Sequence, residues 1–382
     1  MVAELVTDNP WTLTFLLIAL LCFWSSIPRR PSNVPPGPPP LPVIGNLIHF
    51  LSDPREKWRG LHKRYGDIYS LYMGHSLTVV LHTRDVIKEA FVDHADETSD
   101  RPDVFVLRKL GQNKDPTKIH QVLSNQNEIY AFIRSQISQH KRTLDREKPR
   151  DFIDAYLINF KEKQKRNPDT AFSEEQLTRV VSDLFVAGSE TTASTLLWLV
   201  LYMVTYPDVQ DKVHKELDDV VKMETQPLLH HRRMLPFLQA VICETQRYGD
   251  ILPIGAPHAA SKAFELQGYH IPQGAILLPF LHGVHFHPSW GDPDVFRPSR
   301  FLDGELHDRE MLLPFSIGRR SCIGEHLAKT ELFLFAAAIL KRYRFTLPAG
   351  DSPPSLTAPI GHTVSPLAFR VCAHRRISEV VS

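Results

Sequence analysis

The stretch Phe315-Ser-Ile-Gly318-Arg-Arg320-Ser-Cys322-Ile-Gly324 decides how the chain is read. A cysteine without context is most often a small buried hydrophobe. Here two glycines flank it and two arginines precede it. A run with helical spacing follows, from Gly324 to Tyr343, with Leu327, Leu332, Phe333, Leu334 and Leu340 apolar. Backbone N–H groups at a helix start, with cations beside them, are the setting in which a cysteine serves as a metal ligand or a nucleophile. No conventional base sits beside it for a Cys–His hydrolase, and His326 is the one candidate left.

Outward from that stretch, composition narrows the classes. The chain has 382 residues, 43% hydrophobic and 23% charged, which excludes wholesale disorder. Lys+Arg 44 against Asp+Glu 43 lacks the basic excess that nucleic-acid binding needs. Cys22, Cys243, Cys322 and Cys372 stand far apart with no C-x-x-C pair, so neither a disulfide scaffold nor a zinc knuckle is built from them.

Upstream, Asn9 to Pro28 holds no charged side chain, and Trp11 to Ile27 is almost wholly apolar. As a helix that run spans roughly 25 Å, the short end of what crosses a bilayer core. Glu4 and Asp8 precede it, where a cleaved signal would carry Lys or Arg. Arg29 and Arg30 follow it. Residues 1–28 therefore read as an uncleaved transmembrane anchor with the rest of the chain on the cytosolic side. Residues 29–46, rich in proline, read as a stiff extended hinge.

The body, 47–382, reads as mainly α with small β-sheets. Helical spacing covers 55–66, 83–92, 119–141, 151–165, 209–223 and 237–248, and strand-like runs cover 68–73 and 77–81. Ser173 followed by Gln176 is a capping box, which starts a long helix reaching about Val204.

F-x-x-G-x-R-x-C-x-G, matched at Phe315, Gly318, Arg320, Cys322 and Gly324, resembles the haem-binding loop of the cytochrome P-450 family. That resemblance implies Cys322 as the axial thiolate ligand of haem iron and Arg320 as a partner of a haem propionate. Three segments in the expected order extend it. Glu244-Thr-Gln-Arg247 resembles the family's E-x-x-R, with both charges on one helix face. Pro298-Ser-Arg300-Phe301 resembles the segment whose arginine completes a buried Glu–Arg–Arg lock. Ala187-Gly-Ser-Glu190-Thr191-Thr resembles the oxygen-activation motif. Its mid-helix glycine costs about 1 kcal/mol and has no obvious structural gain. By the resemblance, Ala187 and Thr191 face the haem, Thr191 is the alcohol and Glu190 the acid of a proton relay. His258 and Arg101 fall where related enzymes hold propionates. Leu252-Pro253-Ile254 and Thr363-Val364-Ser365 fall where they line the substrate pocket. A competing metal reading is His282-x-x-His285-x-His287, whose spacing could hold zinc.

The resemblance has a break. In the family, a block of helices follows the Arg-Pro segment, one bearing a Trp-x-x-x-Arg that grips the propionates and presents basic groups to the electron donor. Here Gly111-Gln-Asn-Lys-Asp115 passes straight across, and no Trp-x-x-x-Arg occurs. An internal deletion near 110–115 is the expectation. Two functions follow. One is a haem-thiolate monooxygenase of the endoplasmic reticulum membrane, body on the cytosolic face. It would insert one atom of dioxygen into a lipophilic substrate with NADPH-derived electrons from a reductase, a b-type cytochrome being a further donor. The other is an inactive shortened isoform that at most binds haem or the reductase.

Overall fold

The computed structural model describes residues 25, 27, 28, 30–50, 53–102, 116–167, 170–222, 225–302, 310–361 and 363–376, with the backbone alone over 116–123. The expected anchor, apart from three residues, and the expected join near 110–115 lie outside these residues. Two compact units are present: Met1–Pro102 with Ser194–Ser382, and Asp103–Ala193.

In the first unit, helix α1 (Pro54–Tyr65) begins with proline behind Asp53, whose carboxylate accepts from Arg55 N–H. It buries Trp58 against Phe280 and Phe50. Strands β1 (Ile68–Met73) and β2 (Ser76–Leu81) form the expected hairpin, Ile68 opposite Leu81. β2 then pairs in parallel with β6 (Ile276–Pro279), which pairs antiparallel with β3 (His258–Ala259). The sheet thereby brings the first hundred residues beside residues near 260–280. The β2 run Thr78–Leu81 is buried throughout, as a strand paired on both edges requires. The single helix expected over 83–92 is instead α2 (Arg84–Lys88) followed by a wide turn, Glu89–Asp93, and a short α3 (Ala95–Thr98).

The proline-rich segment turns at 32–34 and again at 42–46, and the run 35–40 between the turns is pinned to the sheet. Ser70 Oγ donates to Pro35 O at 2.6 Å, and Ser70 N to Pro36 O at 2.7 Å. Asn46 Nδ2 donates to Pro39 O at 3.1 Å. The Pro35 and Pro36 carbonyls are thus satisfied by β1, and that of Pro39 by Asn46, whose Oδ1 in turn accepts from Tyr72 N of β1. Gly37 allows it: a Cβ there would stand 1.9 Å from Ser70 O.

Helix α6 (Glu174–Thr205) runs through both units. Its C-terminal part buries Trp198, Leu201, Tyr202 and Met203 in the main core, with α7 (Pro207–Val220), α8 (Pro236–Gly249) and α10 (Glu325–Arg342). Length and composition alone make α6 apolar enough to cross a membrane; its C-terminal end is buried in the core, and a third (33%) of its apolar stretch is buried in all. Short strands β4 (Phe264–Leu266) and β5 (Tyr269–Ile271) pair with each other. So do β7 (Tyr343–Thr346) and β8 (Cys372–Arg375), a pairing the sequence pattern did not reveal.

The second unit holds α4 (Pro116–Arg142), α5 (Phe152–Arg166) and the start of α6, around Ile133, Ile137, Leu157 and Leu177. The capping residue behaves as expected: Ser173 Oγ accepts from Gln176 N at 3.0 Å.

Candidate functional site

The loop before α10 is built by two departures from ordinary backbone. Ser316 (φ 59°) and Gly318 (φ 84°) both adopt the left-handed region. At Gly318 only glycine fits, because a Cβ would lie 2.1 Å from Phe91 O. That close approach seats the loop on the turn after α2. Cys322 N then donates to Phe315 O at 2.9 Å, closing the loop. α10 begins directly after Gly324. The Cys322 side chain is exposed. Ile323 beside it is 89% exposed and Leu327 61%, so the sulfur stands in an apolar surface.

Three basic groups gather on the flank of this loop. Arg320 Nε donates to Ser99 O at 2.8 Å. Arg101 Nη1 donates to Pro257 O at 2.7 Å. His258 stacks on Phe91 at 3.8 Å, its Nδ1 bonded to Thr98 O at 2.8 Å. Burial, then the neighbouring Arg101 and Arg320, push His258 down to about 4 in spite of the Thr98 bond. Burial and Arg320 likewise lower Arg101. Among the described residues, neither arginine has a carboxylate within ion-pair distance, whereas adjacent Arg319 pairs with Asp96 at 2.5 Å. Cations that repel one another beside an apolar face and an exposed sulfur form a surface suited to a flat, apolar, dianionic group with a soft metal at its centre. Haem fits that description.

Glu244, Arg247 and Arg300 are brought together and buried, not left on a solvated helix face. Arg247 bonds both Glu244 oxygens, at 2.7 and 2.8 Å, and Arg300 Nε reaches them at 3.1 and 3.2 Å. Their remaining donors go to carbonyls of His285, Pro293, Trp290 and Val295. Such satisfaction is what makes two buried guanidinium groups tolerable.

The zinc reading of the histidine triplet does not hold. His282 Nδ1 and His285 Nδ1 each lie 2.8 Å from Asp250, on opposite carboxylate oxygens, and His287 turns to Ser289. Burial alone would raise the Asp250 carboxyl. The bonds from His282 and His285 outweigh it and hold the group well below the usual carboxylate range. Asp250 was missed from sequence. The available signal was its position at the exit of α8, where Asp tolerates the left-handed φ of 41°.

In the second unit, Thr191 Oγ1 donates to Ala187 O at 2.7 Å, within one turn of α6. Glu190 is exposed. Every residue from Asp183 to Glu190 is exposed among the described residues, including three consecutive large apolar ones, Leu184, Phe185 and Val186. A cavity of about 490 Å³ lies behind the cysteine loop, walled by Leu312, Phe315, Ile317, Cys243 and Phe333. Cys322 is not among its walls, so it is not the space above the sulfur.

Comparison with known proteins agrees with this geometry. The family model described as Cytochrome P450 matches residues 35–119 and 112–373. The chain is 31% identical to human Cytochrome P450 2U1 over 504 aligned positions, covering 94% of this chain and 92% of that protein. It is 42% identical to human Cytochrome P450 2J2 over 257 positions, 66% of this chain and 51% of that one. Against Vitamin D(3) 25-hydroxylase of Sus scrofa it is 31% identical over 482 positions, 94% of this chain and 96% of that one. An alignment of 504 positions to a chain of 382 residues leaves well over a hundred positions without a counterpart here. The chain belongs to the cytochrome P450 family of haem monooxygenases.

Proposed function

We propose that this chain is a haem-thiolate monooxygenase whose haem is held by Cys322 and acts on a lipophilic substrate. The observation that carries the reading is the exposed Cys322 sulfur in its closed loop, flanked by Arg101, Arg320 and neutral His258. Bound haem supplies the redox iron at which dioxygen is activated. The chain's own residues do the rest. Cys322 offers its sulfur just before the start of α10. Arg101 and Arg320 neutralise the propionates. His258 already donates from Nδ1 to Thr98 O, so its Nε2 takes up a proton when a carboxylate arrives. Thr191 and Glu190 serve as hydroxyl and acid for proton delivery, and Ala187 leaves room beside them. Phe315 and Gly324 frame the loop. Electrons come from NADPH through a reductase, with a b-type cytochrome as a further donor. The setting is the endoplasmic reticulum membrane, with the body on the cytosolic face.

A second reading has one specific observation in its favour. The exposed stretch of α6 around Leu184–Val186, together with the unmatched alignment positions, supports a shortened form that keeps the cysteine loop and its basic flank but lacks covering helices and the Trp-x-x-x-Arg grip on the propionates. Such a form binds haem without productive turnover, or only competes for the reductase.

The test is the difference spectrum of reduced, carbon-monoxide-treated membranes carrying the full chain. A thiolate-type Soret band that disappears in Cys322→Ala, with the protein still in the membrane, is the expected result. A band that survives the substitution overturns the ligand assignment. No haem band in the unmodified chain leaves only the competitor form of the second reading.

A further inference from the structure

We propose that His285, oriented by Asp250, is a positioning residue for the cysteine loop. Leu313, two residues before Phe315, is buried, and its N–H points at His285 Nε2 at 3.3 Å. A backbone N–H can only donate, so Nε2 is the acceptor and the imidazole proton sits on Nδ1. That proton faces Asp250 Oδ1 at 2.8 Å. The carboxylate therefore selects the tautomer that leaves Nε2 open to the loop.

The link is fixed at both ends. His285 sits in the short helix α9 (Leu281–His285), and its own carbonyl accepts from Arg247 Nη1 at 2.8 Å. On the other side, Leu313 O accepts from Ser316 N at 3.1 Å, which starts the left-handed turn, and Phe315 O accepts from Cys322 N at 2.9 Å. The path from the Asp250 carboxylate to the cysteine backbone is thus a short run of hydrogen bonds, buried from Asp250 through His285 to Leu313. Without His285 the buried Leu313 N–H has no acceptor among the described residues, which is costly.

His282 is a built-in control. It shares the same carboxylate, but its Nε2 is buried with no partner among the described residues and does not reach the loop. His282→Asn, like His285→Asn, keeps a donor for Asp250, and it leaves Leu313 untouched.

The experiment is hydrogen exchange by mass spectrometry on the full chain in detergent, following peptides that cover 312–324. His285→Asn keeps a donor for Asp250 but falls short of Leu313. It should speed exchange in that segment on the order of tenfold. His285→Gln, whose amide reaches the Nε2 position, should restore protection, and His282→Asn should leave the segment within about twofold of the parent. Where His285→Asn does not accumulate folded, His285→Phe, which keeps a ring with neither nitrogen, takes its place with the same expectation. Equal exchange in parent and His285 variants overturns the proposal, as does an equal acceleration in His282→Asn. The assignment of Cys322 to haem adds to the significance of this link, but the exchange readout does not depend on it. Failure of the spectral test and failure of the exchange test are therefore separate results.

Discussion

Replacing Glu244 with glutamine keeps the shape of the buried triad and removes its anion. Arg247 is then left without a carboxylate, although it retains the carbonyls of His285, Pro293 and Val295. Arg300 retains Asp292 at 2.9 Å. Removing one partner of a buried ion pair costs about 3–5 kcal/mol. The carbonyl partners and Asp292 place this case at about 3–4 kcal/mol. The unit that carries the triad has about 290 residues. At the usual entropy of unfolding per residue, that loss lowers its Tm by about 5–7 °C. Calorimetry of the purified full chain, scanned at two rates, measures it. Lys212→Gln, which breaks the exposed Lys212–Asp208 pair, is the reference and should move Tm by less than about 1 °C. A Glu244→Gln shift no larger than that of Lys212→Gln would refute the claim that these three charges are buried and coupled.

Gly318→Ala should cost roughly 3 kcal/mol or more and abolish haem incorporation, because the new Cβ meets Phe91 O. Gly350→Ala has the same φ of 84° in open space and should cost only about 1 kcal/mol, so equal losses in urea titrations would remove the packing argument. Burial, first among the causes, lowers His82 to about 2 and His214 and His258 to about 4. Below pH 6.5 the unfolded chain binds protons that the folded chain refuses, so stability is full above that pH and falls as pH drops toward 4. A loss of at least about 2 kcal/mol between pH 7 and 5 is expected, and a flat urea midpoint over that range would contradict it.

Much of this was legible because the signals are local. The helical spacing over 209–223 and 237–248, Ser173 with Gln176, and the strand-like runs 68–73 and 77–81 each report on a few neighbouring residues. The Glu244/Arg247 spacing was legible as a pattern for the same reason. What sequence could not supply is which distant group each polar side chain meets. Asp250 finds its imidazoles more than thirty residues later, and Tyr343–Thr346 pairs with Cys372–Arg375 across an irregular stretch. The histidine triplet looked like ligands because spacing is blind to a carboxylate arriving from another helix. The pinning of the proline segment by Ser70 and Asn46 was hidden in the same way, since neither residue is unusual on its own.

The division of the chain carries one more consequence. The loop and its basic flank are assembled from residues before Pro102 and after Ser194, and Asp103–Ala193 is an excursion between them. Shortening an excursion does not pull apart the two segments from which it departs. Closure entropy depends only on the logarithm of its length, so the loss of a hundred or so residues there changes that entropy by less than about 1 kcal/mol. Topology alone thus makes the chain tolerant of large changes at one place, and a family that varies its middle can leave its two ends undisturbed. It also means that the loop cannot close until the chain has been made as far as Gly324, whatever the excursion has become.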